Sequence, residues 1–166
     1  TPEEQFLTII AILRRIMDFE NAAIYSISRD GSLSLFTAEK QGAPVSIPDC
    51  PLVRRVLAGK SSEICRPWLV KGFEKLGQED LAALRSSVLM DVESNGIKRV
   101  VILMSSKPLT LGFGERKRLV SYKPFIEYAL SSMDYRNHME ELVRAKTAEL
   151  ERSRQTIYDY ASISSD

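Results

Sequence analysis

The sequence predicts an α+β domain in which an antiparallel sheet carries the first and last helices on one face. Three observations predict it. The chain opens on a capped amphipathic helix, two pairs of strand-like runs each meet at a glycine turn, and the final third reads as helix. Strands joined mainly through hairpins make an antiparallel sheet, and the apolar face of each terminal helix needs such a sheet to cover it.

The elements follow in order. Thr1-Pro2-Glu3-Glu4 fits a capping box with proline at the first helical position. Phe6, Ile9, Ile10, Leu13, Ile16 and Met17 then share one helical face, predicting a helix that ends near Asp18. Runs 22–28 and 32–38 flank Arg29-Asp30-Gly31, whose Asp-Gly pair signals a hairpin. A short strand is expected at 45–47. Pro51 opens PLVRRVLA, a short helix stopped by Gly59. Another short strand is expected at 62–65, an irregular segment at 66–77 and a short helix at 79–84. Runs 86–92 and 97–105 flank Glu93-Ser94-Asn95-Gly96, and Asn-Gly is the strongest turn signal in the chain. A loop over 107–114 leads into the last helix.

That helix spans about 115–161 and would be about 70 Å long at roughly 1.5 Å per residue, beyond the reach of a compact domain of this size. Pro124 interrupts it, predicting either a kink near Tyr122 or a helix that starts at Pro124. The first half is apolar and aromatic. The second, HMEELVRAKTAELERSRQTI, is charged, with sparse apolar residues. The expected division is a sensory domain at 1–133 and a coiled-coil connector at 134–166. Placing Val143, Leu150 and Ile157 at heptad position a puts Met139, Lys146, Ser153 and Tyr160 at d. Met139, Val143, Leu150 and Ile157 are the expected dimer seam. Glu149 would face Arg154 of a partner helix, and Glu141/Arg144 and Glu149/Arg152 would pair within one helix. Lys146 and Ser153 pack poorly, so the seam is expected to be weak alone.

Bulk properties exclude several classes. The chain has 166 residues and a net charge of +1, so no overall field recruits nucleic acid or an anionic membrane. Apolar runs such as 6–13 and 100–104 are too short to span a bilayer. No leader is visible in an acidic, amphipathic opening, and the expected compartment is the cytoplasm. Cys50 and Cys65 are expected to be free thiols, since their spacing matches no zinc hook and histidine occurs once.

The residues NAAIYSISRDGSLSL, CPLVRRVLAGKSSEI, LAALRSSVLMDVESNGIKRVVILMSS and FGERKRLVSYKPFIEYAL together resemble a GAF domain, over about residues 3–133. The PAS fold is the related alternative. The resemblance implies a small-ligand or partner-binding module of bacterial sensors, with a pocket on the sheet face away from the terminal helices. Many members carry proline and glycine in the last hairpin, where this chain has Asp91-Val92 and Lys98-Arg99. The cyclic-nucleotide signature is absent. Neither cysteine has the histidine neighbour of bilin-binding members, and no pocket histidine exists for haem. No cofactor is therefore expected. EELVRAKTAELERS resembles the connectors that join sensors to output domains, and YASISSD resembles the approach to a PAS domain.

Catalytic chemistry finds few residues. Nucleophilic or metal chemistry would have to use His138, which stands among Asn137, Glu140 and Glu141 on a charged helix. The carboxylate pairs Glu3-Glu4, Glu79-Asp80 and Glu140-Glu141 sit at helix starts or on solvated faces. Gly112-Phe113-Gly114 is too short for a phosphate loop. A sensor pocket needs apolar walls with polar anchors. Cys65, Arg66, Trp68, Phe73, Arg85 and Ser87 are the candidate ligand-binding residues, with no metal site. Packing of Trp68 and Phe73 over the sheet is the competing reading.

The expected function is a non-catalytic sensory module that binds an unidentified small molecule or partner. It would homodimerise through its C-terminal helix and bias an output domain. A ligand-free dimerisation and spacer module is the alternative. A GAF-fold methionine sulfoxide reductase is the enzymatic one.

Overall fold

In the computed structural model, which describes residues 1–164 and side chains through Ser162, four helices and six strands follow one another from Thr1. Ser165 and Asp166, the end of the expected connector and of the YASISSD motif, lie outside the described residues.

Helix α1 (Pro2–Arg14) starts as its capping box requires. The Glu4 amide donates to Thr1 Oγ1 at 3.2 Å, and the Thr1 ammonium donates to Glu4 Oε2 at 3.1 Å. It ends before the expected Asp18. The Ile16 amide turns back to the Leu13 carbonyl at 2.9 Å, and the Arg118 guanidinium takes the Ile16 carbonyl at 3.3 and 3.4 Å. The turn keeps Ile16 and Phe19 in the core and aims the chain at the first strand.

The strands are β1 (Asn21–Ile27), β2 (Leu33–Ala38), β3 (Ser46–Ile47), β4 (Ser62–Ile64), β5 (Ser87–Ser94) and β6 (Ile97–Met104). They form one sheet in the order β3-β2-β1-β6-β5-β4, with every pairing antiparallel. Both hairpins close where the turn residues placed them. Asp30 Oδ1 accepts from the Ser32 amide at 3.0 Å, beside Gly31 at φ +85°. Asn95 (φ 54°) and Gly96 (φ 78°) form a two-residue turn with both central residues left-handed, the geometry that matches strand twist. The hairpins join through β1 and β6, in register from Asn21 opposite Met104 to Ser26 opposite Arg99.

Helices α2 (Pro51–Leu57) and α3 (Gln78–Ala83) and the 3-10 turns at Pro67–Leu69 and Phe73–Lys75 cover one face of the sheet. Helices α1 and α4 (Phe113–Ser164) cover the other. Alternation divides each central strand between the faces: Ala22 and Ile24 meet α1 and α4, while Ala23 and Tyr25 enter the other core.

Helix α4 has 52 residues and continues through Pro124, so the helix does not begin there. Proline is tolerated because both Pro124 and Val120 are exposed. The Val120 carbonyl, which loses its amide partner to the proline ring, lies on the solvent side of the helix, where lost ladder bonds are least damaging. On its inner side Leu119, Ile126, Ala129, Leu130 and Met133 are buried at helical spacing against α1 and the sheet. From Glu140 to Ser162 every residue is exposed.

Candidate functional site

The face away from α1 and α4 is where the resemblance placed a pocket, and large side chains pack across it. Tyr25, Leu33, Ile47, Phe73, Leu84, Leu89 and Ile102 are all fully buried there. Tyr25 donates its hydroxyl to the Pro44 carbonyl at 2.6 Å, which ties the loop after β2 over this core. Burial holds its phenol above the ordinary value of 10.0, with the negative charge of Asp80 adding to the effect.

The six expected ligand residues fall into three environments. Phe73 and Ser87 are buried; the Ser87 hydroxyl donates to the Leu84 carbonyl at 3.1 Å, closing α3 onto β5. Cys65, Arg66 and Trp68 are exposed on the segment after β4, with Trp68 58% accessible. Arg85 is also exposed and lines an open cleft of about 370 Å³ with Glu20, Asn21, Gln41, Met104 and Ser105. Phe73 and Trp68 therefore do not line one space. The 3-10 turns rotate one inward and the other outward, and a two-turn segment carries no periodicity from which sequence reasoning could have separated them. Cys50 and Cys65 are both free, one buried and one exposed.

A second constellation was not anticipated. Lys123, Glu127, Ser131 and Asp134 recur along one side of α4, beside its apolar stripe, and each reaches the β5–β6 hairpin. Lys123 Nζ lies 3.3 Å from Asp91 Oδ1. Glu127 Oε2 accepts from the Glu93 backbone amide at 2.5 Å, on the stretch of β5 that runs past its β4 partner. Ser131 Oγ meets Ser94 Oγ at 2.8 Å. Asp134 accepts two bonds from the Arg99 guanidinium, at 2.7 Å from Nη1 and 3.1 Å from Nη2.

The last pair is largely enclosed. Arg99 is 7% exposed, its guanidinium carbon lies 4.9 Å from the centre of the Phe36 ring, and its buried Nε has no hydrogen-bond partner. The helical spacing 123, 127, 131, 134 was visible in the sequence. Its partners on β5 and β6 were not, since only the sheet register brings them alongside.

Past Met133 the helix carries Met139 half-buried, then Val143, Leu150 and Ile157 at 64%, 60% and 70% exposure. The ion pairs within this stretch differ from those expected. Arg144 pairs with Glu140 at 3.8 Å rather than with Glu141, and Glu149 pairs with Lys146 at 3.6 Å rather than with Arg152. The observed and the expected partners are all one turn away, and such exposed pairs hold little energy either way. Among the described residues there is no group of three or more metal-ligating side chains and no helix long and apolar enough to cross a membrane.

No family model matches the sequence, and no curated protein matches it. Solved structures do match in fold. The GAF domain of a two-component sensor histidine kinase from Bacillus halodurans is similar at a TM-score of 0.57 and 10% identity, over 81% of this chain and 97% of that one. The green light-absorbing state of NpR6012g4, a red/green cyanobacteriochrome, is similar at 0.56 and 13% identity, over 82% and 97%. The reduced form of fRMsr of Staphylococcus aureus is similar at 0.52 and 14% identity, over 76% and 94%. The chain has the α+β GAF fold, with its terminal helices together on one face of the sheet.

Proposed function

We propose that the chain is a non-catalytic regulatory GAF module, residues 1–133, whose state is passed through the connector at 134–166 to a further domain in the cytoplasm. One observation carries this reading. Helix α4 is one continuous helix that is core on one side as far as Met133 and exposed on all sides from Glu140 to Ser162. A rigid helix shared between a packed domain and solvent converts a shift in the domain into a displacement at its far end. The exposed Val143, Leu150 and Ile157, with Met139, form the seam of a parallel homodimer in this reading. The similarity in fold to a GAF domain of a sensor histidine kinase supports the same assignment.

Sedimentation equilibrium tests the transmitting half. The chain is expected to dimerise, and Leu150→Glu is expected to make it monomeric while leaving the melting temperature of the domain unchanged. A chain that is monomeric at every attainable concentration overturns the dimeric seam.

The input is either a small molecule or a protein partner. The ligand-free dimerisation and spacer module stands as a second reading because Tyr25, Phe73 and Leu84 occupy the face where a ligand would lie. A metabolite screen by thermal shift separates the two: a bound ligand raises the melting temperature, and a spacer responds to none.

A further inference from the structure

We propose that the polar row Lys123, Glu127, Ser131 and Asp134 is a register lock, which sets the rotation and axial position of α4 on the domain and so the direction in which the connector leaves. Helix α4 makes two kinds of contact with the domain. Its apolar stripe packs against α1 and the sheet through contacts that have no direction and survive small rotations. Its polar row makes directional contacts to fixed points on one hairpin: the Asp91 carboxylate, the Glu93 amide, the Ser94 hydroxyl and the Arg99 guanidinium. A rotation of α4, or a slide by part of a turn, breaks all four together.

The position of the strongest contact supports the assignment. Asp134 follows Met133, the last buried residue of the helix among the described residues, so the bidentate pair sits where core packing gives way to the stretch that leads out to solvent. The chemistry supports it too. A largely enclosed ion pair whose guanidinium leaves one buried N–H unpaired is a poor device for stability and a good one for specifying a single arrangement. Arg99 also lies on β6 next to Val100 and, two further on, Ile102, both of which enter the core on the opposite face. Repacking of that core moves the strand that holds Arg99, which connects an input on one face to the helix on the other.

The lock is intramolecular and does not depend on dimerisation, so its test is separate from that of the seam. Spin labels on Arg55→Cys in α2 and Glu151→Cys in the connector, in a Cys65→Ser background and diluted with unlabelled chain, report the distance between domain and connector. The unaltered lock is expected to give a single narrow distribution. Arg99→Met/Asp134→Leu, which removes the charges without leaving one alone, is expected to broaden or displace it. Asp134→Asn is expected to do so to a lesser degree and covers the case in which the double variant does not fold. Ile126→Val weakens packing but leaves the row intact, and is expected to keep the distribution narrow. Superimposable distributions in folded charge variants, or equal broadening in Ile126→Val, would overturn the proposal.

Discussion

Arg99 on β6 and Asp134 on α4 are thirty-five positions apart and bind through two hydrogen bonds of 2.7 and 3.1 Å, one residue past Met133, the last buried residue of α4 among the described residues. The pair joins the central hairpin of the sheet to the helix that leaves it.

Breaking this pair from one side strands a charge. Asp134→Ala leaves the enclosed Arg99 guanidinium without its acceptor and is expected to destabilise the domain by roughly 1–3 kcal/mol. Arg99→Met/Asp134→Leu removes both charges and is expected to lose less than the single change, because a buried pair and an apolar pair of similar volume are close in stability. Urea unfolding of the two variants checks the order. A double variant less stable than Asp134→Ala contradicts it.

Phe73 and Trp68 stand five positions apart and should respond oppositely to truncation. Phe73 is 1% exposed, so Phe73→Ala opens a cavity and is expected to cost about 3–5 kcal/mol. Trp68→Ala is expected to lie within about 0.5 kcal/mol of the parent. Thermal melts of both decide whether Trp68 belongs to the core, and a large loss on Trp68→Ala would place it there.

Gly72 is demanded twice by its surroundings. Its φ of +100° is left-handed, and an added Cβ would come within 2.7 Å of the Cys50 side chain. Gly72→Ala is expected to cost about 2 kcal/mol or more, since both backbone strain and overpacking act. Gly77, where an added Cβ would meet nothing within 4 Å, is the control: Gly77→Ala is expected to be near neutral. Equal melting temperatures for the two variants would contradict this account.

Tyr25 gives the fold an alkaline limit. Its phenol titrates above 10.0 in the folded state because burial disfavours the phenolate. The raised folded value means that this contribution is complete below about pH 10 and is lost as the pH rises through the folded value. Tyr25→Phe is expected to lose about 1 kcal/mol at neutral pH, with the Pro44 carbonyl left unpaired, and to show a shallower decline in melting temperature above about pH 10. Parallel alkaline profiles would assign the decline to other groups.

Much of the architecture was legible in local chemistry. Thr1 and Glu4 announce the first helix, Asp30-Gly31 and Asn95-Gly96 place the hairpin turns, and Gly59 stops α2, where it adopts φ +99°. Each of these signals is complete within four or five residues. The end of α1 was read four residues late, because Ile16 and Met17 continue the helical spacing while the Arg118 guanidinium, far along the chain, captures the Ile16 carbonyl instead. Pro124 offered a kink near Tyr122 or a helix start; the start is excluded because the helix continues through it, and that tolerance depends on which side of α4 faces water.

The sequence by itself determined the elements, the antiparallel hairpins, the α+β class and the division of the last helix into an apolar and a charged half. Those properties arise from capping, turn conformation and hydrophobic period, which act between near neighbours. Tertiary structure alone decided that β1 pairs with β6, that Phe73 turns inward while Trp68 turns out, and that the polar row of α4 meets Asp91, Glu93, Ser94 and Arg99. Each of those outcomes depends on the register of strands and helices distant in the chain, and register is set by the packing of the whole core rather than by any residue within it.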